Sequence, residues 1–190
     1  MKFFLLIICL SFSIFAVDEV SFTKIKVSKA RFKQKGRLID GDIIILDFPE
    51  KASIHSREAY NFTELCGIDY VNMTKISKIE ASFKKGYNKK VKCFNRKGKI
   101  FYEKNVLSED SVEAMKYGID GILDQKRVEN GKIVEYTSFY KNGNILKERK
   151  YINGLREGVW KEYYIDGSIK SIIKFKKGKA VNIERFERTG

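Results

Sequence analysis

The chain has 190 residues, enough for one or two small domains. Hydrophobic residues make up 43% of it and aromatics 13%, which supplies a packed core and excludes an intrinsically disordered chain. The formal net charge of +14 suits nucleic acid, an anionic membrane surface or an acidic polymer as partner, but the lysines are spread over the whole length and mark no single stripe.

Residues 1–16 read as a secretory signal. Lys2 is the positive start, Phe3 to Phe15 is an apolar core interrupted only by Ser11 and Ser13, and Ala16 offers a small residue for cleavage. The run is short of the roughly 20 residues that span a bilayer. Ile8 stands where a lipobox needs a small residue, so Cys9 is not read as a lipid anchor. Cleavage after Ala16 predicts an exported protein, periplasmic or in the cell envelope of a bacterium. It also leaves two cysteines, Cys66 and Cys93. In an oxidising compartment an even pair is a disulfide candidate. The alternative is two buried free thiols.

Residues 17–110 read as a β-rich region. Val20 to Val27 alternates with one change of face, Lys35-Gly36 and Asp40-Gly41 punctuate, and Ile43 to Leu46 is continuous enough for a strand covered on both sides, ended by Pro49. A helix is expected over 53–66, with Ser56 as cap, Ala59, Phe62 and Cys66 at helical spacing, and Gly67 as stop. Strands are expected over 76–83 and 91–102. A second short helix or an irregular turn is expected over 110–117, from the good helix formers Glu113-Ala114-Met115-Lys116 between Ser108 and Gly118.

Residues 111–190 repeat themselves. Gly131, Gly154 and Gly178 are spaced 23 and 24 apart, and Gly121, Gly143 and Gly167 are spaced 22 and 24 apart. Tyr117, Tyr140 and Tyr164 keep the same period. The dipeptides Asp120-Gly121, Asn130-Gly131, Asn142-Gly143, Asn153-Gly154 and Asp166-Gly167 are those of two-residue hairpin turns, with Lys177-Gly178 at the last. Between them lie segments rich in Ile, Val, Tyr, Phe and Thr. The expected fold is mainly β, an antiparallel meander of stacked hairpins with a two-strand repeat. Phe94 and Gly98 fall 23 residues before Tyr117 and Gly121, so a degenerate further repeat is expected to begin near residue 90.

The clearest unit runs Gly158-Val159-Trp160-Lys161-Glu162-Tyr163-Tyr164-Ile165-Asp166-Gly167-Ser168-Ile169, then Phe175-Lys176-Lys177-Gly178. Phe139-Tyr140-Lys141-Asn142-Gly143-Asn144-Ile145 and Tyr151-Ile152-Asn153-Gly154 answer it in the preceding unit. This resembles the MORN-repeat variant of many bacterial proteins over about residues 117–182. The tryptophan occurs once, and the matching place in the earlier unit holds Tyr136 or a neighbour. The resemblance implies a binding or scaffold module. Many bacterial members carry the label of antitoxin component, which makes an antitoxin-like partner-binding protein one alternative. Tyr140, Tyr151, Trp160, Tyr163, Tyr164 and Phe175 are the aromatics that such a unit uses as core or as binding surface.

Little chemistry is visible. His55 is the only histidine, no cysteine and histidine cluster has zinc spacing, and no nucleophile elbow occurs. Asp40-Gly41-Asp42 reads as a turn rather than a cation loop. Neither catalytic nor metal residues nor a cofactor are expected. The expectation is a non-enzymatic, exported repeat protein that binds another protein or an envelope polymer. The alternative partner is an anionic membrane met by a lysine-rich sheet face, and the export signal argues against nucleic acid.

Overall fold

The computed structural model describes residues 17–21, 25–28, 31–35, 37–46, 48, 65–67 and 75–188. The signal segment expected over 1–16, His55 and Pro49 lie outside them, as does most of the helix expected over 53–66. Among the described residues the chain is almost entirely strand. The strands are β1 (Asp18–Ser21), β2 (Ile25–Ser28), β3 (Arg31–Gln34), β4 (Arg37–Leu38), β5 (Gly41–Leu46), β6 (Ile76–Lys84), β7 (Tyr87–Asn95) and β8 (Ile100–Val106). They continue with β9 (Ser111–Tyr117), β10 (Leu123–Asn130), β11 (Ile133–Phe139), β12 (Ile145–Ile152), β13 (Leu155–Arg156), β14 (Gly158–Tyr163), β15 (Ile169–Lys176) and β16 (Lys179–Arg185).

Thirteen of these form one sheet in the order β1-β5-β6-β7-β8-β9-β10-β11-β12-β14-β15-β16, with β13 also paired to β12. From β5 onward every neighbour is antiparallel, so the sheet is a run of consecutive hairpins. Among the described strands only β1 joins in parallel, against β5. β2, β3 and β4 make a separate small antiparallel sheet.

Residues 111–117 are strand β9, not the helix their local propensity suggests. Every residue from Val112 to Lys116 faces a partner, Val106 to Tyr102 on one side and Glu129 to Gln125 on the other. Two ladders of backbone hydrogen bonds and the burial of Ala114 outweigh a helix preference worth a few tenths of a kcal/mol per residue.

The six repeat glycines, Gly121, Gly131, Gly143, Gly154, Gly167 and Gly178, all have positive φ. They serve two kinds of turn, not one. At one end of the sheet the chain reverses in two residues. Asn153-Gly154 and Lys177-Gly178 have positive φ at both positions, as in type I′ turns, and Gly131-Lys132 has it at the glycine. At the other end the loops are longer. Tyr140 N–H donates to Asn144 O at 2.8 Å and Gly143 N–H to Tyr140 O at 2.9 Å, a type I turn closed by a glycine bulge. The same two bonds recur at 95–99, 118–122 and 164–168. The repeat expected near residue 90 therefore ends in the same turn. The turns also correct the aromatic register: Phe94, Tyr117, Phe139 and Tyr163 are equivalent, each four residues before its glycine, so Tyr117 corresponds to Phe139 rather than to Tyr140.

The core lies at one end of the large sheet. Successive side chains alternate faces, so residues directly opposite across strands share a face. Ile43, Ala81, Val91, Lys104 and Ala114 are such a row, and Ile45, Ile79, Cys93 and Tyr102 are another. Ile45, Ile76, Ile79 and Val91 are fully buried, each stabilising the fold by roughly 1.5–3 kcal/mol over exposure. The small sheet and residues 65–66 cover this face. Phe32 of β3 packs on Phe83 with ring centroids 5.1 Å apart, and the backbone of Gly86 bonds both Phe32 and Ile39. Cys66 and Cys93 are joined by a disulfide and buried. Gly67 follows at positive φ, where a Cβ would stand 2.5 Å from the Tyr102 ring, so only glycine fits there.

Candidate functional site

Beyond Ala114 the same face of the sheet continues without cover from any other described element. Of the described hydrophobic residues that are buried, only Phe175 follows Ala114. Across the register, Ala114 lies opposite Arg127, Arg127 opposite Tyr136, and Tyr136 opposite Arg149. Val134 lies opposite Tyr151, and Tyr151 opposite Arg156. Lys147 faces Glu162, Trp160 faces Ile173, Gly158 faces Phe175 and Ser171 faces Arg185. All four strand-borne arginines after β8, Arg127, Arg149, Arg156 and Arg185, are thus on one face, and so are Tyr136, Tyr151, Trp160 and Phe175.

The aromatics form a rail across four strands. Ring centroids are 5.7 Å apart from Tyr136 to Tyr151, 5.1 Å from Tyr151 to Trp160 and 4.6 Å from Trp160 to Phe175, each pair tilted or edge-on. Trp160 Nε1 donates to Lys150 O at 2.9 Å, a carbonyl that also accepts from Glu157 N–H at 3.0 Å in the break between β13 and β14. The arginines lie over the rings. Arg127 is 5.7 Å from the Tyr136 centroid, Arg149 and Arg156 are 5.5 and 5.7 Å from that of Trp160, and Arg156 is 5.4 Å from that of Phe175. Arg127 pairs with Glu129. Two shallow hollows open here, one beside Tyr136, Arg149 and Tyr151, the other beside Arg156, Trp160 and Glu162.

The opposite face of the sheet is a lattice of lysine and carboxylate. Lys150 pairs with Glu135 at 3.2 Å, Lys92 with Glu103 at 3.9 Å, and Lys126 with Glu113. Tyr163 is on this face and donates to Glu148 Oε2 at 2.6 Å. Partial burial, then that carboxylate, push its hydroxyl up to about 12. Burial pushes the Tyr117 hydroxyl up in the same sense, with Glu103 beside it adding to the effect. On the aromatic face, burial raises the Glu162 carboxyl, but Lys147 and Lys170 outweigh it and hold the group below its ordinary range.

Tyr140 and Tyr164 have a third role, at the glycine-bulge end. Tyr140 Oη donates to Tyr163 O at 2.8 Å and Tyr164 Oη to Phe186 O at 2.9 Å, each reaching the next hairpin. Asn142 Nδ2 reaches Ile165 O at 3.1 Å, and Arg188 reaches Asp166 at 2.9 Å. The Ser168 hydroxyl and backbone N–H, then Arg188, hold the Asp166 carboxyl at about 2.

Of the six aromatics singled out from the sequence, the structure brings Tyr151, Trp160 and Phe175 together and places Tyr163 on the far face and Tyr140 and Tyr164 at the turns. Tyr136 and the arginines belong to the face without standing out in the repeat. The signal is there: steps of two join Arg149 to Tyr151 and, through Gly158, Arg156 to Trp160, and the two-residue turn at Asn153-Gly154 sets Tyr151 opposite Arg156, so all four are on one side. At the covered end, Asp40 and Asp42 border a hollow with Asp18 and Arg37, and Ser82 donates to Asp42. Among the described residues, no group of three or more histidine, cysteine or acidic side chains comes together in a way that could hold a metal ion. Compared with known protein families and curated proteins, the chain matches no family model and no curated sequence.

Proposed function

We propose that this chain is an exported, non-enzymatic hairpin-repeat protein of a bacterial envelope, a MORN-like module that binds another protein or an envelope polymer through the open face of β10–β16. The observation that carries the reading is the segregation of arginine and aromatic side chains onto that face. Aromatics and arginine are the residues that concentrate binding energy at interfaces. Here they sit on a rigid ladder, tilted against one another, and need little reordering on contact. The perturbed groups, Tyr102, Tyr117, Tyr163, Glu162 and Asp166, all have structural hydrogen bonds, ion pairs or burial as their cause, which favours binding over catalysis.

The anionic-membrane reading depends on the lysine face. That face is interlaced with glutamates, so its positive potential is locally neutralised, which weakens its case. The test is charge reversal on each face. Immobilised mature protein is challenged with envelope extract, alongside Arg149→Glu and Lys174→Glu variants. The reading expects retention to fall at least about tenfold for Arg149→Glu and little for Lys174→Glu. The opposite ranking would favour the lysine face and sink it.

A further inference from the structure

Arg149 and Arg156 are exposed, and neither takes part in an ion pair among the described residues. Both nevertheless lie within 6 Å of one indole ring, that of Trp160. Two like charges are thus held beside each other, and the carboxylate that shares their hollow, Glu162, pairs with Lys147 and Lys170 instead. Guanidinium is a planar fork that takes carboxylates through two parallel hydrogen bonds.

We propose that this pair is a receptor for an extended acidic peptide segment of a partner protein, with carboxylates at alternate positions. The proposal rests on the face assigned above and names its occupant. Tyr151 follows Arg149 by two residues along β12 and lies directly opposite Arg156 on β13. Arg149 and Arg156 are therefore diagonal cross-strand neighbours, spaced roughly 7–8 Å. In an extended peptide, side chains at alternate positions point the same way about 6.4–6.8 Å apart. Two acidic residues separated by one residue match the two forks; adjacent acids point to opposite sides and do not.

The geometry disfavours other anions. Single-stranded nucleic acid binds by stacking bases on open ring faces. Here the rings lean on one another and carry guanidiniums on top. A membrane needs apolar side chains to insert beside the cations. Leu155 and Val159, exposed and on the same two strands as Arg156 and Trp160, point to the opposite face.

The test uses fluorescence anisotropy with the mature protein and short labelled peptides. One peptide alternates glutamate with threonine; the other has the same composition arranged as adjacent glutamate pairs separated by two threonines, so that no two glutamates stand two residues apart. The alternating peptide should bind at least about fivefold more tightly, and Arg149→Gln with Arg156→Gln should weaken it at least about tenfold. Lys161→Gln with Lys174→Gln, on the far face, should change it less than about twofold. Equal binding of the two peptides, or equal loss from either face, overturns the proposal. Oligothymidylate and vesicles of phosphatidylglycerol run in parallel. If one of these requires Arg149 and Arg156 while the alternating peptide does not, the occupant is wrong and the binding face stands. If no probe requires them, both fail. Unchanged circular dichroism of the variants certifies the fold.

Discussion

The strands up to β9, apart from β2–β4, and the strands after it belong to one sheet, yet the two regions are stabilised differently. The covered region has a dry face: Ile79, Val91 and Cys93 are wholly buried beneath the small sheet and residues 65–66. In the open region the corresponding row is Arg127, Tyr136, Arg149 and their neighbours, with no layer of described residues above them. The ladder of backbone hydrogen bonds is continuous through both. Strand pairing therefore does not by itself require a cover, provided the open face carries aromatics that pack on one another and cations that lie across them. The open region is free to present those side chains because neighbouring strands, not a core, hold it in place.

The largest test of this contrast uses isoleucine on the shared face. Ile79 is fully buried, and Ile79→Ala should cost about 3–4 kcal/mol by urea denaturation. Ile173 lies on the same face in the open region and is only partly buried. Ile173→Ala should cost about 1–2 kcal/mol. Equal costs would break the comparison.

The cross-link belongs to the covered region alone. Replacing Cys66 and Cys93 by serine opens a loop of 27 residues and should destabilise by about 3 kcal/mol. Hydrogen exchange should rise first in β6 and β7, while β14–β16 keep their protection. Uniform loss across the sheet would mean that the two regions unfold as one unit.

How much of the molecule is legible in its residues follows the same division. The hairpins after Gly121 are legible because glycine positions and alternation speak locally. Residues 111–117 are not, since their partners in β8 and β10 lie outside the window that sets helix propensity. The two turn classes merge in the sequence because Asn-Gly serves both; what separates them is the ring of bonds from Tyr140 to Asn144, invisible in a dipeptide. The face of arginines and aromatics is half legible. Its aromatics stand out in the repeat, but the arginines share it only through a register that runs across several strands.

In the open region Trp160 is the central ring. Trp160→Phe removes the hydrogen bond to Lys150 O and weakens the contacts with Arg149 and Arg156. A loss of about 1–2 kcal/mol is expected in the same urea experiment. No loss would show the rail to be ornamental to stability.

The smallest effect concerns the turn at 164–168. Asp166 is lowered from 3.8 to about 2 by Ser168 and Arg188. A depressed acid contributes stability that is present above its unfolded value and lost as pH falls through the folded one, so this turn should weaken between about pH 4 and pH 2. An NMR titration of the Asp166 carboxyl should show the low midpoint, and Ser168→Ala should raise it. A midpoint near 3.8 in the unsubstituted protein would mean that the Ser168 and Arg188 contacts do not persist in solution.

The chain has a single tryptophan, on the open face beneath two arginines that make no ion pair among the described residues. Quenching of Trp160 emission by iodide and by caesium is therefore the most direct measurement of that face. Relative to free N-acetyltryptophanamide, iodide should be favoured over caesium several-fold at low salt, and that preference should vanish in Arg149→Gln with Arg156→Gln. Emission insensitive to both ions, or no such preference in the unsubstituted protein, would contradict an exposed cationic face.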